Sequence, residues 1–311
     1  MVARGSMQSA GRHDSWPPLR LGLLLAAFAA AGCRLPNAQG PVPRSLAASR
    51  ELSQQGVSAM DEGDWSQAEQ LFKKSVETCA ANADARRHYA EALWHLGKRA
   101  QALDQLDEAI CLSPDDDTLL VQVAELRLAT ADTRGAHDAV RQAIDIHPRS
   151  PLAWMLAGRI EAAGGHTREA LSAFHRALSF APESRDALLE IAECYRKLGE
   201  PERALVNLQT LADTYAPGEE PRQVMYLEGL ALGALGREHD AIDALAQAAA
   251  RGAPDAGLLW HLAEAEARLG LNDQAWRDVQ RALATDPQHR ASRQLAAKLA
   301  VARQGTGQIT R

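Results

Sequence analysis

"LLEIAECYRKLGEPERALVNLQTLA", residues 188–212, carries apolar residues at helical spacing both before and after Gly199. Glycine takes the left-handed backbone of a tight turn without steric cost. The stretch therefore predicts two helices that double back on each other. One such hairpin cannot bury its own apolar face, so its neighbours in the chain decide the fold.

The neighbours repeat it. In a 34-residue frame beginning at Ser49, Ala83, Asp117, Pro151 and Arg185, position 20 is Ala68, Ala102, Ala136, Ala170 and Ala204. The frame slips by three residues at "PGEEP" (217–221) and resumes at Arg222 and Ala256, where position 20 is Ala241 and Ala275. Position 8 is always small: Gly56, Ala90, Ala124, Gly158, Ala192, Gly229 and Ala263. Position 15 is Gly63, Gly97, Gly165, Gly199, Gly236 and Gly270, with Ala131 the exception. Position 32 is Pro114, Pro148, Pro182 and Pro287, while Pro217 and Pro254 fall one place late. Small residues at 8 and 20 let two helices approach closely, and proline ends the second of them.

These positions resemble the tetratricopeptide repeat family, which is small at 8, 20 and 27, bulky at 24 and has proline at 32. The resemblance covers residues 49–289. It implies an all-α, right-handed α-solenoid of seven helix-turn-helix repeats. Residues 290–303 are expected to form a capping helix with Leu295 and Leu299 inward, and 304–311 a frayed tail. Repeat one (Phe72 at 24, Ser75 at 27) and repeat five (Leu211 at 27) depart most from the pattern. With the slip, these departures make 217–221 the expected bend.

Composition agrees with helix. Aromatic residues are 5% of the 311 and hydrophobic residues 46%, with β-branched types sparse. The net charge of −6, with no long basic run, argues against nucleic acid as a partner.

The N-terminus reads differently from the repeats. Arg4, Arg12 and Arg20 precede the apolar run "LGLLLAAFAAAG", and only 13 residues separate Arg20 from Arg34. A membrane-spanning helix needs about 20. Residues 1–32 are therefore expected to be a secretory signal peptide. "AAGC" (30–33) resembles the lipobox of bacterial lipoproteins, which implies lipidation at Cys33 and membrane association through that anchor, although the family prefers a larger aliphatic residue where Ala30 stands. An ordinary cleaved signal and an uncleaved anchor are the other readings. Residues 33–48, with Pro36, Gly40, Pro41 and Pro43, are expected to be a flexible tether.

In the tetratricopeptide family, ligands lie along the inner wall formed by the first helix of each repeat, at positions 2, 5, 9, 12 and 13. Position 5 here is Arg87, Val121, Met155, Leu189, Tyr226 and Trp260 in repeats two to seven. Position 9 is Glu91, Glu125, Arg159, Glu193, Leu230 and Glu264. Trp94, Leu128 and Arg196 stand at position 12, and His95, Lys197 and Arg268 at position 13. The expectation is a wall whose carboxylates select basic side chains and whose Met155, Tyr226 and Trp260 anchor apolar ones in a peptide or protein partner. The competing reading makes the glutamates ordinary helix surface. Position 9 has no asparagine, so the carboxylate clamp of some family members is absent.

Residues 79–111 hold Cys79, His88, His95 and Cys111, reactive types that invite a metal site. The two histidines lie about 10 Å apart along a helix axis and do not converge on one ion. Cys111 and Cys194 read as packing residues, and a Cys79–Cys111 disulfide remains conceivable in an oxidising envelope. No nucleophile elbow, zincin motif, phosphate loop or dinucleotide turn is present, and the expectation is no cofactor, no small-molecule substrate and no catalysis. The chain reads as an exported interaction scaffold. A self-associating assembly element (for pilus, secretion or outer-membrane biogenesis) and the recognition half of an enzyme complex are the alternatives.

Overall fold

The computed structural model describes residues 43–216 and 218–309, with side chains described as far as Val301. The signal-peptide and lipidation readings, Cys33 included, lie outside the described residues, as does most of the tether segment.

Fifteen helices and no strands occur among the described residues. The first helices of the repeats are α1 (Arg44–Asp61), α3 (Ala83–His95), α5 (Asp117–Ala129), α7 (Pro151–Ala163), α9 (Arg185–Lys197), α11 (Arg222–Ala234) and α13 (Ala256–Arg268). Their partners are α2 (Trp65–Thr78), α4 (Arg99–Leu112), α6 (Thr133–Ile146), α8 (Thr167–Phe180), α10 (Pro201–Ala212), α12 (Glu238–Ala250) and α14 (Asn272–Thr285). A final helix, α15, runs over Arg290–Ile309. Each helix packs on the next, and successive first helices also touch, as in α5–α7, α11–α13 and α13–α15. Contacts of this kind join α1 to α3, α5 to α7 and α9 through α11 to α13, so the first helices lie along one side of the hairpins.

Local chemistry sets the helix boundaries. The residue before each first helix caps it wherever it is Asn, Asp or Ser: Asn82, Asp116, Ser150, Ser184 and Asp255 each accept a backbone N–H from the first turn. The turn inside each hairpin is left-handed at position 15, with φ between 72° and 81° at six glycines and 63° at Ala131. Position 4 adds a latch between repeats. Trp154 Nε1 donates to the Pro148 carbonyl at 2.9 Å, Arg86 Nε to Ala80 at 3.0 Å and Arg293 Nε to Pro287 at 2.7 Å. The accepting carbonyl is at position 32 of the preceding repeat in all three.

Positions 8 and 24 form the close contact within each hairpin. Where position 8 is Gly56 or Gly158, the facing position 24 is a fully buried phenylalanine, Phe72 or Phe174. A methyl placed on Gly56 would stand 2.8 Å from the Phe72 ring. Repeat one has a second peculiarity, because Ser75 is buried. Its hydroxyl donates to the Ser49 carbonyl at 2.7 Å and lies 2.8 Å from both the Ser49 and Ser53 hydroxyls. Asn82 Nδ2 donates to Ser49 Oγ at 2.9 Å, so this buried polar group is satisfied internally.

Two boundary expectations change. Helix α1 begins at Arg44, inside the segment expected to be tether, because no helix breaker follows Pro43 before the frame begins. Helix α15 continues to Ile309 through the residues expected to fray. Across the slip, Leu208 and Leu211 pack with Val224 and Leu227 in one buried cluster. Arg251 holds the slip loop by donating to the Gly218 carbonyl at 2.6 Å and to the Glu220 carbonyl. Cys79, Cys111 and Cys194 are free thiols, and no Cys79–Cys111 bridge forms.

Candidate partner-binding face

Among the described residues, two of the clefts are lined by successive first helices. The first, about 250 Å³, opens between α3 and α5, which approach each other less closely than α5 and α7 do. It is lined by Arg87, Glu91, Trp94 and His95 from α3 and by Gln122, Glu125 and Leu126 from α5, over a floor of Ala90 and Leu106. The second, about 260 Å³, spans α9, α11 and α13 and includes Arg196, Leu230, His261, Glu264 and Arg268.

Helical periodicity puts these side chains on one face. Positions 2, 6, 9 and 13 are spaced four, three and four apart, so a stripe along each first helix points the same way. That spacing also finds two lining residues that positions 5, 9, 12 and 13 omit. Gln122 and His261 both stand at position 6.

Five of the candidate residues meet in the first cleft: Arg87, Glu91, Trp94, His95 and Glu125. His95 lies flat on Trp65 of α2, ring centroids 3.7 Å apart, and so borders the cleft as part of a stack. Arg99 sits 5.3 Å from the Trp94 ring. In the second region Tyr226 and Trp260 flank His261, with centroids at 5.8 and 4.3 Å. Burial, aided by Arg196, Arg268 and His289, pushes His261 down to about 4, so its ring is neutral near pH 7.

Other candidates go elsewhere. Met155, expected as an exposed anchor, is 8% exposed and packs in the core with Phe174 and Ile191. Leu189 packs against the cluster around Leu208. Arg159 pairs with Glu190 at 3.4 Å.

The row of position-9 glutamates is uneven, because neighbours one turn along answer some of them. Glu193 takes Arg196 at 2.7 Å and Lys197 at 3.7 Å. Burial pushes its carboxyl up, but these two cations outweigh that and hold it below the ordinary value. Glu264 faces Arg268 at 3.6 Å, and Arg268 also reaches Glu238 at 3.1 Å. Glu91 has only His88, at 3.7 Å. Glu125 has no hydrogen bond or ion pair among the described residues, and partial burial raises its pKa against the pull of Arg159.

Family models described as tetratricopeptide repeat match residues 59–110 and 162–223, and a second such model matches 226–290. The chain carries tetratricopeptide repeats. Tetratricopeptide repeat protein 33 of Mus musculus is 26% identical over 162 residues, 52% of this chain and 61% of that protein. The chain thus spans about six-tenths of the length of that relative. Among solved structures, PilW, a type IV pilus biogenesis factor, aligns with a TM-score of 0.59 at 18% identity, over 65% of this chain and 93% of that one. YrrB, a repeat protein described as having an unusual peptide-binding site, aligns with a TM-score of 0.53 at 20% identity, over 62% and 97%. Likeness at this identity establishes the shared fold.

These repeats form a scaffold suited to protein–protein interaction. Among the described residues no helix is long and apolar enough to cross a membrane, and no cluster of His, Cys, Asp and Glu is arranged to hold a metal.

Proposed function

We propose that this chain is a non-catalytic interaction scaffold that holds a peptide or protein segment along the side formed by its first helices. The observation that carries the reading is the placement of two clefts on that side, each lined by side chains from successive first helices. Such a side is a preformed surface, so little ordering entropy is lost by the scaffold on binding. The peptide-binding site described for YrrB supports the reading in kind. On the sequence of residues 1–33, the scaffold is exported to a bacterial cell envelope and anchored by lipid at Cys33, facing the periplasm. PilW's part in pilus biogenesis makes an assembly system one setting for such a scaffold.

The test is photo-cross-linking in native envelopes from a probe placed at Trp94 or Leu230. Val206, 60% exposed on a second helix, is the control position. A discrete partner caught from the first two and not from Val206 is the expected result. Equal capture from all three positions would refute the groove. Capture of a second copy of the chain, with concentration-dependent oligomers by light scattering, would replace the reading by self-association. A Cys33→Ser variant should leave the membrane fraction; if it stays there, the lipid anchor is wrong.

A further inference from the structure

The α3–α5 cleft differs from the second cleft in what it leaves unanswered. In the second, Glu264 already has Arg268. In the first, Glu91, Glu125 and Gln122 line the cleft, and among the described residues no lysine or arginine forms an ion pair with either carboxylate. Glu125 has no partner among the described residues. Glu91 has only His88, whose ring burial and Arg87 hold below its ordinary value, so it is a poor counter-ion. Gln122 Oε1 is buried without a hydrogen-bond partner. A buried acceptor left unmade costs about 1–3 kcal/mol, which a donor would recover once the Gln122 amide turns toward the cleft.

Of the cations nearby, Arg99 lies over the Trp94 ring at 5.3 Å without pairing to a carboxylate, and two others are engaged by neighbours. Arg87 Nη2 lies 3.2 Å from His88 Nε2, and Arg159 Nε donates to Glu190 Oε1 at 3.4 Å. Glu91 and Glu125 against Arg87 leave the cleft one negative charge over. The rest of its lining is Ala90 and Leu106 on the floor, with Leu126, the Trp94 ring and His95 at the sides.

We propose that this cleft takes one arginine side chain of the partner segment, its guanidinium shared among Glu91, Glu125 and Gln122 and its stem laid along Leu106, Leu126 and Trp94. A guanidinium offers five N–H donors in a plane and stacks on an aromatic ring, so it serves three separate acceptors. A lysine ammonium is a compact, strongly hydrated charge and matches the apolar walls less well. The proposal rests on the groove reading and names the chemistry of one subsite within it.

The experiment pans a random library of acetylated hexapeptides against the full chain and against a Glu91→Gln/Glu125→Gln variant, with helicity checked by circular dichroism. The chain should retain peptides rich in arginine over lysine at one position, and the variant should lose that preference while keeping the others. Replacing that arginine by citrulline, a neutral near-isostere, should weaken binding to the wild type about tenfold or more and leave binding to the variant unchanged. Peptides retained without arginine preference, or the same preference in the variant, overturn the subsite and leave the groove reading standing. No peptide retained also overturns the subsite; with no cross-linking from Trp94 or Leu230, the groove falls too.

Discussion

Gly158 and Phe174 show how one position dictates another. A methyl on Gly158 would run into the Phe174 ring, which is fully buried and has nowhere to go. Gly158→Ala is expected to cost about 1–3 kcal/mol through overpacking. The repeats with alanine at position 8 suggest the remedy. They carry Leu106, Val140, Leu208 or Val279 at position 24. Gly158→Ala/Phe174→Leu should therefore be more stable than the sum of the two single changes. A double-mutant cycle in urea reads the coupling, and strict additivity would contradict the contact. The exchange was legible in the sequence for two repeats, where Gly56 and Gly158 coincide with Phe72 and Phe174, whereas Gly229 coincides with Leu245, the residue type that also accompanies Ala90 and Ala192. Where Met155 goes was not legible, because position 5 holds buried and half-buried residues alike. Its burial depends on how closely the next first helix packs over it.

At the scale of helices, α13 carries two groups whose proton affinities move in opposite directions. Glu266 faces α14, is 6% exposed, and has an oxygen buried without a hydrogen-bond partner. Burial, reinforced by Asp278, pushes its carboxyl from 4.5 up to about 7. Between those values the folded chain holds a proton that the unfolded chain has released, so stability falls as pH rises. His261 does the opposite. Its folded value of about 4 lies below the ordinary 6.5, so the unfolded chain binds more protons and stability falls as pH drops through that window. Glu266→Gln isolates the first effect. At pH 8 it should stabilise by about 1–3 kcal/mol, and near pH 4.5 it should be close to neutral. Thermal melts at the two pH values decide the matter, and an equal change at both would rule the mechanism out. Nothing in the sequence marked Glu266, because a glutamate inside an amphipathic helix reads as surface until the partner helix covers it.

For the array as a whole, stability is a sum over hairpins and the interfaces between them. The last interface is closed by α15, where Leu299 is buried with Ala263, Ala275 and Val279. Leu299→Ala should cost about 2–5 kcal/mol at that end. Because each repeat leans only on its neighbours, the loss should appear first as faster amide hydrogen exchange in α13 and α14, with α3 to α8 protected as before. Uniform loss of protection along the chain would instead mean that the array unfolds as one unit.

The sequence by itself determined the helices, their order and their turns. Those features rest on local rules: apolar spacing of three and four, glycine where the backbone turns left-handed, and Asn, Asp or Ser before a first turn. It also determined the stripe from which the clefts are built, since helical periodicity alone puts Arg87, Glu91 and Trp94 on one face. Only the tertiary structure decided which acceptors remain unanswered. Glu193 and Glu264 are matched by cations three or four residues along their own helices, a pairing the spacing allowed but did not require. Glu125 and Gln122 stay open because α3 and α5 stand apart while the nearby Arg87 and Arg159 turn to His88 and Glu190. That is a matter of distances between helices, which no local pattern encodes.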